Sequence, residues 1–212
     1  MYNPSHFEEK RLDVLQDLVR AHPLATLVLM SPDGLLANHI PLFLRDDGTQ
    51  FGTLAGHIAR ANPLWNVADP TVAALAIFQG AQHYISPQWY ATKNEHGKVV
   101  PTWNYVVVHG KGPLVVHDDA QWVRQLLLDL TAQQESAMPT PWQVDEAPRD
   151  YTDAMIKALV GIEIPLQSLA GKWKVSQNQP QANQQSLVQA LQGRGDDAAV
   201  AMAQNVLAQG AR

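Results

Sequence analysis

Residues 99–112 read VVPTWNYVVVHGKG. The segment begins as a turn, becomes a run of β-branched residues and ends in glycines. Val106, Val107 and Val108 suit a pleated, buried surface, and Lys111-Gly112-Pro113 turns the chain into LVVH. Trp103, Asn104 and Tyr105 stand at the mouth of this strand. Just upstream, SPQWY at 86–90 repeats the combination of proline, Trp and Tyr. The two clusters predict a surface that is flat, aromatic and partly polar. The loop that holds them, with NEHGK between, runs to about twenty residues, a length that in compact domains marks a functional or a mobile segment.

Outward from this segment the chain alternates strand and turn signals. TVAALAIFQG is an apolar strand expected to be buried on nearly both faces. ATLVLM leads through the turn Ser31-Pro32-Asp33-Gly34 into LLANHIPLFL, and Asp46-Asp47-Gly48 makes a second hairpin into QFGTLAG. Leu12, Leu15, Leu18 and Val19 lie at helical spacing, which predicts a helix over 8–21 that His22-Pro23 ends. A short helix is expected over 58–65. Beyond Asp118 the pattern turns helical. Trp122, Val123, Leu126, Leu127 and Leu130 form one stripe over 119–134, with Asp118 or Asp119 as cap. A proline-rich linker over 138–148 precedes a helix over 150–159. GIEIPLQSLAGKWKVS reads as one late strand rejoining the sheet. The tail from Gln177 is rich in Gln, Asn and Ala and reads as loosely packed helices anchored by Leu187, Val188 and Leu191. The reading is mainly β with flanking helices, the hairpins favouring a closed or partly closed barrel. The expected division is a barrel over 1–178 with a helical insertion near 118–160, and a helical tail over 179–212.

Composition limits what such a fold can do. With 212 residues and 46% hydrophobic content, the chain buries a sizeable core. It has no cysteine, so disulfides, thiolate metal sites and thiol nucleophiles are excluded. MYNPSHFEEKR is polar, unlike a signal peptide, and no apolar run reaches the ~20 residues that span a bilayer, so a cytoplasmic protein is expected. The net charge of −5 and the scattering of 15 Lys and Arg argue against a basic face for DNA. The eight His show no metal-ligand spacing, and no P-loop, GxGxxG, HExxH or GxSxG is present. No metal is expected.

Two other segments could hold an anion. In GTLAGHIARANP a strand is expected to end at Gly56, presenting backbone N–H groups before a helix, with Arg60 as the nearby cation. A plain strand-to-helix connection explains the same residues equally well. KWKVSQN gathers Lys172, Lys174, Ser176, Gln177 and Asn178, which suit either an anion or a solvated strand end. Together with the aromatic clusters, these pieces match a ligand with a flat polar ring and a phosphate tail, for which FMN is the candidate.

MYNPSHF, ANHIPL, GHIARANP, YISPQWY, VPTWNYVVVHG and GIEI…GKWKVSQN occur in this order between Met1 and Asn178. In these motifs the chain resembles the PaiB-like family of FMN-binding negative transcriptional regulators. The resemblance implies an FMN-binding split β-barrel of the pyridoxamine-phosphate-oxidase-like type, an obligate homodimer, FMN at the dimer interface and a repressor's role. Carried onto this sequence, it assigns cofactor contacts to Asn38, His39, Ile40, Pro41, Gly56, His57, Arg60, Pro101, Thr102, Trp103, Asn104, Tyr105, Lys172, Ser176 and Gln177. Relatives in the wider superfamily often carry Ser-Arg-Lys after the strand. Here the turn reads Gly56-His57-Ile58-Ala59-Arg60, and Lys172 or Lys174 could supply the missing cation. Three functions stay open: a flavin-dependent regulator, an FMN-dependent oxidoreductase whose regulatory effect is indirect, and a barrel that has lost FMN and serves as a scaffold.

Overall fold

The computed structural model describes residues 1–210. The strands are β1 Glu8–Glu9, β2 Leu24–Ser31, β3 Gly34–Pro41, β4 Phe43–Arg45, β5 Thr53–Ala59, β6 Ala74–Ile85, β7 Thr102–Gly112, β8 Val115–His117, β9 Leu159–Pro165 and β10 Ser168–Lys174. The helices are α1 Leu12–Ala21, α2 Leu64–Val67, α3 Lys93–His96, α4 Ala120–Glu135, α5 Arg149–Lys157, α6 Gln181–Arg194 and α7 Asp197–Gly210. The chain forms two compact units. The first takes Met1–Leu18, Gln79–His109 and the chain from Ala170 onward, the second Val19–Phe78 and Gly110–Leu169. Positions 211–212 of the expected tail lie outside the described residues.

In the first unit the strand order is β1-β10-β7-β6, with β1 antiparallel to β10, Glu8 opposite Lys172 and Glu9 opposite Gly171. Helix α1 packs here through Leu15. A Cβ on Gly171 would stand 2.2 Å from Leu15 Cδ2, so only glycine admits the helix this close. Helices α6 and α7 bury Leu187, Val188, Leu191, Met202 and Val206. Gly195, at φ +72°, makes the left-handed stop between them. Asn183, 1% exposed, pins α6 to the loop after β6: its Oδ1 accepts from Thr92 N at 3.0 Å and its Nδ2 donates to Thr92 Oγ1 at 2.9 Å.

In the second unit β6-β2-β3 form one antiparallel set, and β4-β5-β9-β8 a four-stranded sheet. The β2–β3 hairpin closes at Ser31 opposite Gly34, whose φ of +110° needs glycine. Asp47 shapes the β4–β5 connection. Thr49 and then Thr53 donate side-chain hydrogen bonds to its carboxylate, holding its pKa down at about 2. Leu27, Leu42, Leu54, Leu64, Phe78, Leu126, Ile162 and Ile164 are fully buried, each contributing about 1.5–3 kcal/mol. Helix α4, capped by Asp119, sits on the four-stranded sheet through Trp122. That ring stacks on His117 at 4.1 Å and lies where a Cβ on Gly161 would approach within 2.2 Å. Arg45 lies over the Trp122 ring, 5.2 Å from its centroid, and bonds Glu163 at 2.8 Å, whose carboxylate also meets His117 at 2.7 Å.

Several expected boundaries move. The first helix begins at Leu12, because Glu8–Glu9 join β10 and the Glu9 carboxylate accepts the Lys10 and Arg11 N–H groups at 3.0 Å each. LLANHIPLFL is two strands, parted at Leu42. Strand β5 continues past Gly56 to Ala59, so the short helix starts only at Leu64; continuous pairing from Thr53–Pro165 to Ala59–Leu159 holds it extended. The expected late strand is two strands, β9 and β10, that pair in different sheets, since Leu166 and Gln167 bond to Gly52 and Lys111 instead of continuing the ladder. Strand β6 alternates buried and half-buried residues in its first half instead of burying both faces. The tail helices are packed through fully buried side chains, not loosely.

Candidate functional site

In the first unit the alternation of β7 separates its candidate residues. Trp103 and Tyr105 project to one face, and Asn104 to the buried opposite one. Lys172 and Lys174, two apart on β10, join the aromatic face. Lys174 Nζ donates to Thr102 Oγ1 at 2.5 Å and to Trp103 O at 2.7 Å. Lys172 Nζ donates to Tyr2 O at 3.1 Å and lies between two rings, 5.5 Å from Tyr2 and 5.4 Å from Tyr105. No carboxylate among the described residues pairs with either ammonium. Burial lowers the Lys174 pKa; Tyr105 opposes this shift, and the charge of Lys172 adds to it. Trp103 is half-exposed but held in place. Its Nε1 donates to Gln82 Oε1 at 3.3 Å, and its ring meets Tyr84 edge-on at 6.2 Å.

Asn104 and Ser176 are buried and face each other. Asn104 Nδ2 donates to Ser176 Oγ at 2.9 Å, and Ser176 Oγ donates back to Asn104 Oδ1 at 3.3 Å. Burial raises the Tyr90 pKa, against a hydrogen bond to the same Ser176. Ser176 has φ +64°, uncommon for a residue with a Cβ. Gln177 folds back on its own turn: its Oε1 accepts from Val175 N and its Nε2 donates to Trp173 O. Pro101 is exposed just before β7. Thr102, Trp103, Tyr105 and Lys172 therefore come together, while Asn104, Ser176 and Gln177 hold the strand and turn beneath.

In the second unit the candidates take other roles. Asn38 Oδ1 accepts from Asn62 Nδ2 at 2.9 Å, and Asn62 Oδ1 in turn accepts from Leu64 N at 3.0 Å. Ile40 is core, whereas His39 and Pro41 are exposed on β3, opposite Thr26 and Leu24. Gly56 lies inside β5, where a Cβ would meet Leu42 Cδ2 and Pro41 O, both at 2.9 Å. Its lack of a side chain serves close packing, and the expected anion-binding turn is instead paired strand. His57 has a buried Nδ1 with no hydrogen-bond partner, and burial lowers its pKa. Arg60 is committed locally. It grips Asp118 at 2.6 and 3.1 Å and donates to the Lys157 and Leu159 carbonyls at 2.8 and 3.0 Å. Asp118 matches its charge and raises its pKa.

The donor set of the first unit fits FMN. Ammonium groups without a carboxylate partner among the described residues suit the phosphate, and fixed half-exposed aromatics suit a flat ring. Lys174, named with Lys172 as a possible cation, lies on this face, and Tyr2, Gln82 and Tyr84 border it without having been among the expected positions. The spacing of Lys172 and Lys174 was the available signal; nothing local marks Tyr2, which arrives from the chain terminus. Among the described residues no cluster of His, Cys, Asp or Glu could hold a metal, and no helix is long and apolar enough to cross a membrane.

Comparison with known proteins agrees. A family model described as "Putative FMN-binding domain" matches residues 1–168. An uncharacterized protein of Emericella nidulans is 30% identical, covering 99% of this chain and 98% of that one. Protease synthase and sporulation protein PAI 2 of Bacillus subtilis is 28% identical, covering 96% and 95%. Among solved structures, the FAD and heme binding protein from Mycobacterium smegmatis superposes with a TM-score of 0.57 at 16% identity, covering 79% of this chain and 73% of that one, a likeness of fold.

Proposed function

The chain belongs to this FMN-binding domain family, and from that premise we propose that it is a split-barrel flavoprotein acting as a flavin-dependent regulator of the PaiB type. The observation that carries the reading is the carboxylate-free pair Lys172 and Lys174 beside the fixed rings of Trp103 and Tyr105. In this reading the two ammoniums hold the phosphate, Thr102 orients Lys174, and Trp103 and Tyr105 flank the ring. Asn104, Ser176 and Gln177 keep β7 and the turn after β10 in position. Bound FMN supplies redox chemistry that the side chains lack.

We further propose a homodimer with FMN at its interface. In the second unit Leu24 and Leu35 are 62% and 75% exposed and share one sheet face with Ala37 and Pro41. A second copy covering that face removes this apolar surface from water. Regulation acts indirectly, through a partner protein or through flavin chemistry, because a chain of net charge −5 lacks the basic stripe that phosphate contacts require. The second reading is an FMN-dependent oxidoreductase whose regulatory effect is indirect, the redox chemistry being the flavin's own.

The visible spectrum of the purified protein tests the cofactor: a flavin band is expected, and a colourless protein that takes up no added FMN refutes it. Bleaching of that band by NAD(P)H favours the oxidoreductase. A fluorescence-anisotropy titration against the protein's own promoter region tests indirect action. Submicromolar, sequence-selective binding at physiological salt overturns it.

A further inference from the structure

We infer that the N-terminal residues Met1–Asn3 form a removable cover over the Lys172 ammonium, which an anionic ligand displaces when it binds. This rests on the phosphate role proposed above for Lys172. The side chain lies on β10 and the residue is only 7% exposed, yet no carboxylate among the described residues neutralises it. An ammonium has three donors. Among the described residues one is taken, by the Tyr2 carbonyl at 3.1 Å. What shields the rest is aromatic: Tyr105, fixed in β7, on one side and Tyr2 on the other.

Tyr2 itself is 85% exposed, so its ring covers the ammonium while burying little of its own surface. The cover is weakly fastened. Besides Tyr2, its side-chain tie is Asn3 Nδ2, which donates to Gly171 O at 2.9 Å. Asn3 Oδ1 is buried without a partner, and an unmet acceptor of this kind disfavours the closed arrangement. The segment also has a defined hinge. Pro4 is extended at φ −56° and ψ 142°, Phe7 N bonds back to Pro4 O at 2.9 Å, and Glu8–Glu9 are paired to β10. Motion is thereby confined to the residues ahead of Pro4. A phosphate oxygen makes a charge-assisted hydrogen bond to Lys172, stronger than the neutral carbonyl it replaces. The closed cover therefore lowers apparent affinity in proportion to its population.

The test is Tyr2→Ala, which removes an exposed ring and leaves the core intact. Calorimetric titration with FMN, and separately with inorganic phosphate, is expected to show binding about two- to fivefold tighter than in the unaltered protein, the range for one exposed cation–π contact. Hydrogen exchange of Tyr2 and Asn3 is expected to quicken when FMN is added to the unaltered protein, with Ser5–Phe7 unchanged. Weaker binding by Tyr2→Ala makes Tyr2 a ligand contact and overturns the cover, as do unchanged affinity or FMN-induced protection of Tyr2 and Asn3. Phosphate binding that tightens in Tyr2→Ala, without any FMN binding, overturns the flavin reading alone. Absence of binding by either probe overturns both.

Discussion

Replacing Lys174 or Lys172 with alanine should weaken FMN binding without touching riboflavin binding. The FMN phosphate carries between one and two negative charges near neutral pH, and each charge-assisted hydrogen bond to it is worth about 1.5–3 kcal/mol, or roughly 10- to 150-fold in Kd. Both ammoniums lack a carboxylate partner among the described residues, so neither must break an ion pair to meet the ligand. Among the described residues Lys174 has only Thr102 Oγ1 and Trp103 O to release or share. The double substitution should lose less than the sum of the singles, because adjacent cations share one anion. Arg60→Ala supplies the contrast. Its guanidinium is occupied by Asp118 and two carbonyls, so FMN affinity should stay within about twofold. The assay is quenching of flavin fluorescence on titration, run in parallel with riboflavin. The reasoning fails if riboflavin binds as tightly as FMN, or if Arg60→Ala costs as much as either lysine.

Three other outcomes are expected. Ser176→Ala should cost about 1–3 kcal/mol by stranding the buried Asn104 amide, whereas Ser176→Gly should recover about 1–2 kcal/mol of that by relieving the left-handed backbone; equal midpoints in urea would contradict the strain. Burial penalises the imidazolium of His57 and lowers its pKa from the ordinary histidine value. The unfolded chain takes up the proton first, so this contribution is complete above pH 6.5 and is lost as pH falls towards the folded pKa. Between pH 7 and 5, His57→Gln should lose less Tm than the unaltered protein, and parallel losses would remove His57 as the cause. Light scattering at micromolar concentration should report a dimer, with an interface above ~2,000 Å² as in obligate pairs; a monomer refutes it.

Period-two alternation and turn residues were enough to place most strands, because each reports on a backbone conformation set within a few residues. The hairpin at Gly34 and the strand through Val106–Val108 stand where their local signals put them. The same alternation puts Asn104 opposite Trp103 and Tyr105, but not which of the two faces is buried; packing decided that. Partner choice was likewise hidden. Arg60 and Lys174 are both cations near small polar residues in the chain, yet Arg60 meets Asp118, 58 positions away, while Lys174 meets Thr102, 72 away, and no acid among the described residues. Gly56 resembled an anion-binding turn and proved to be a point of close packing against Pro41 and Leu42. Residue type and spacing determine what a segment can form and which chemistry it carries. Which charge is neutralised, which glycine is crowded and that Tyr2 covers Lys172 depend on contacts between distant segments, and those exist only once the tertiary fold has brought them together.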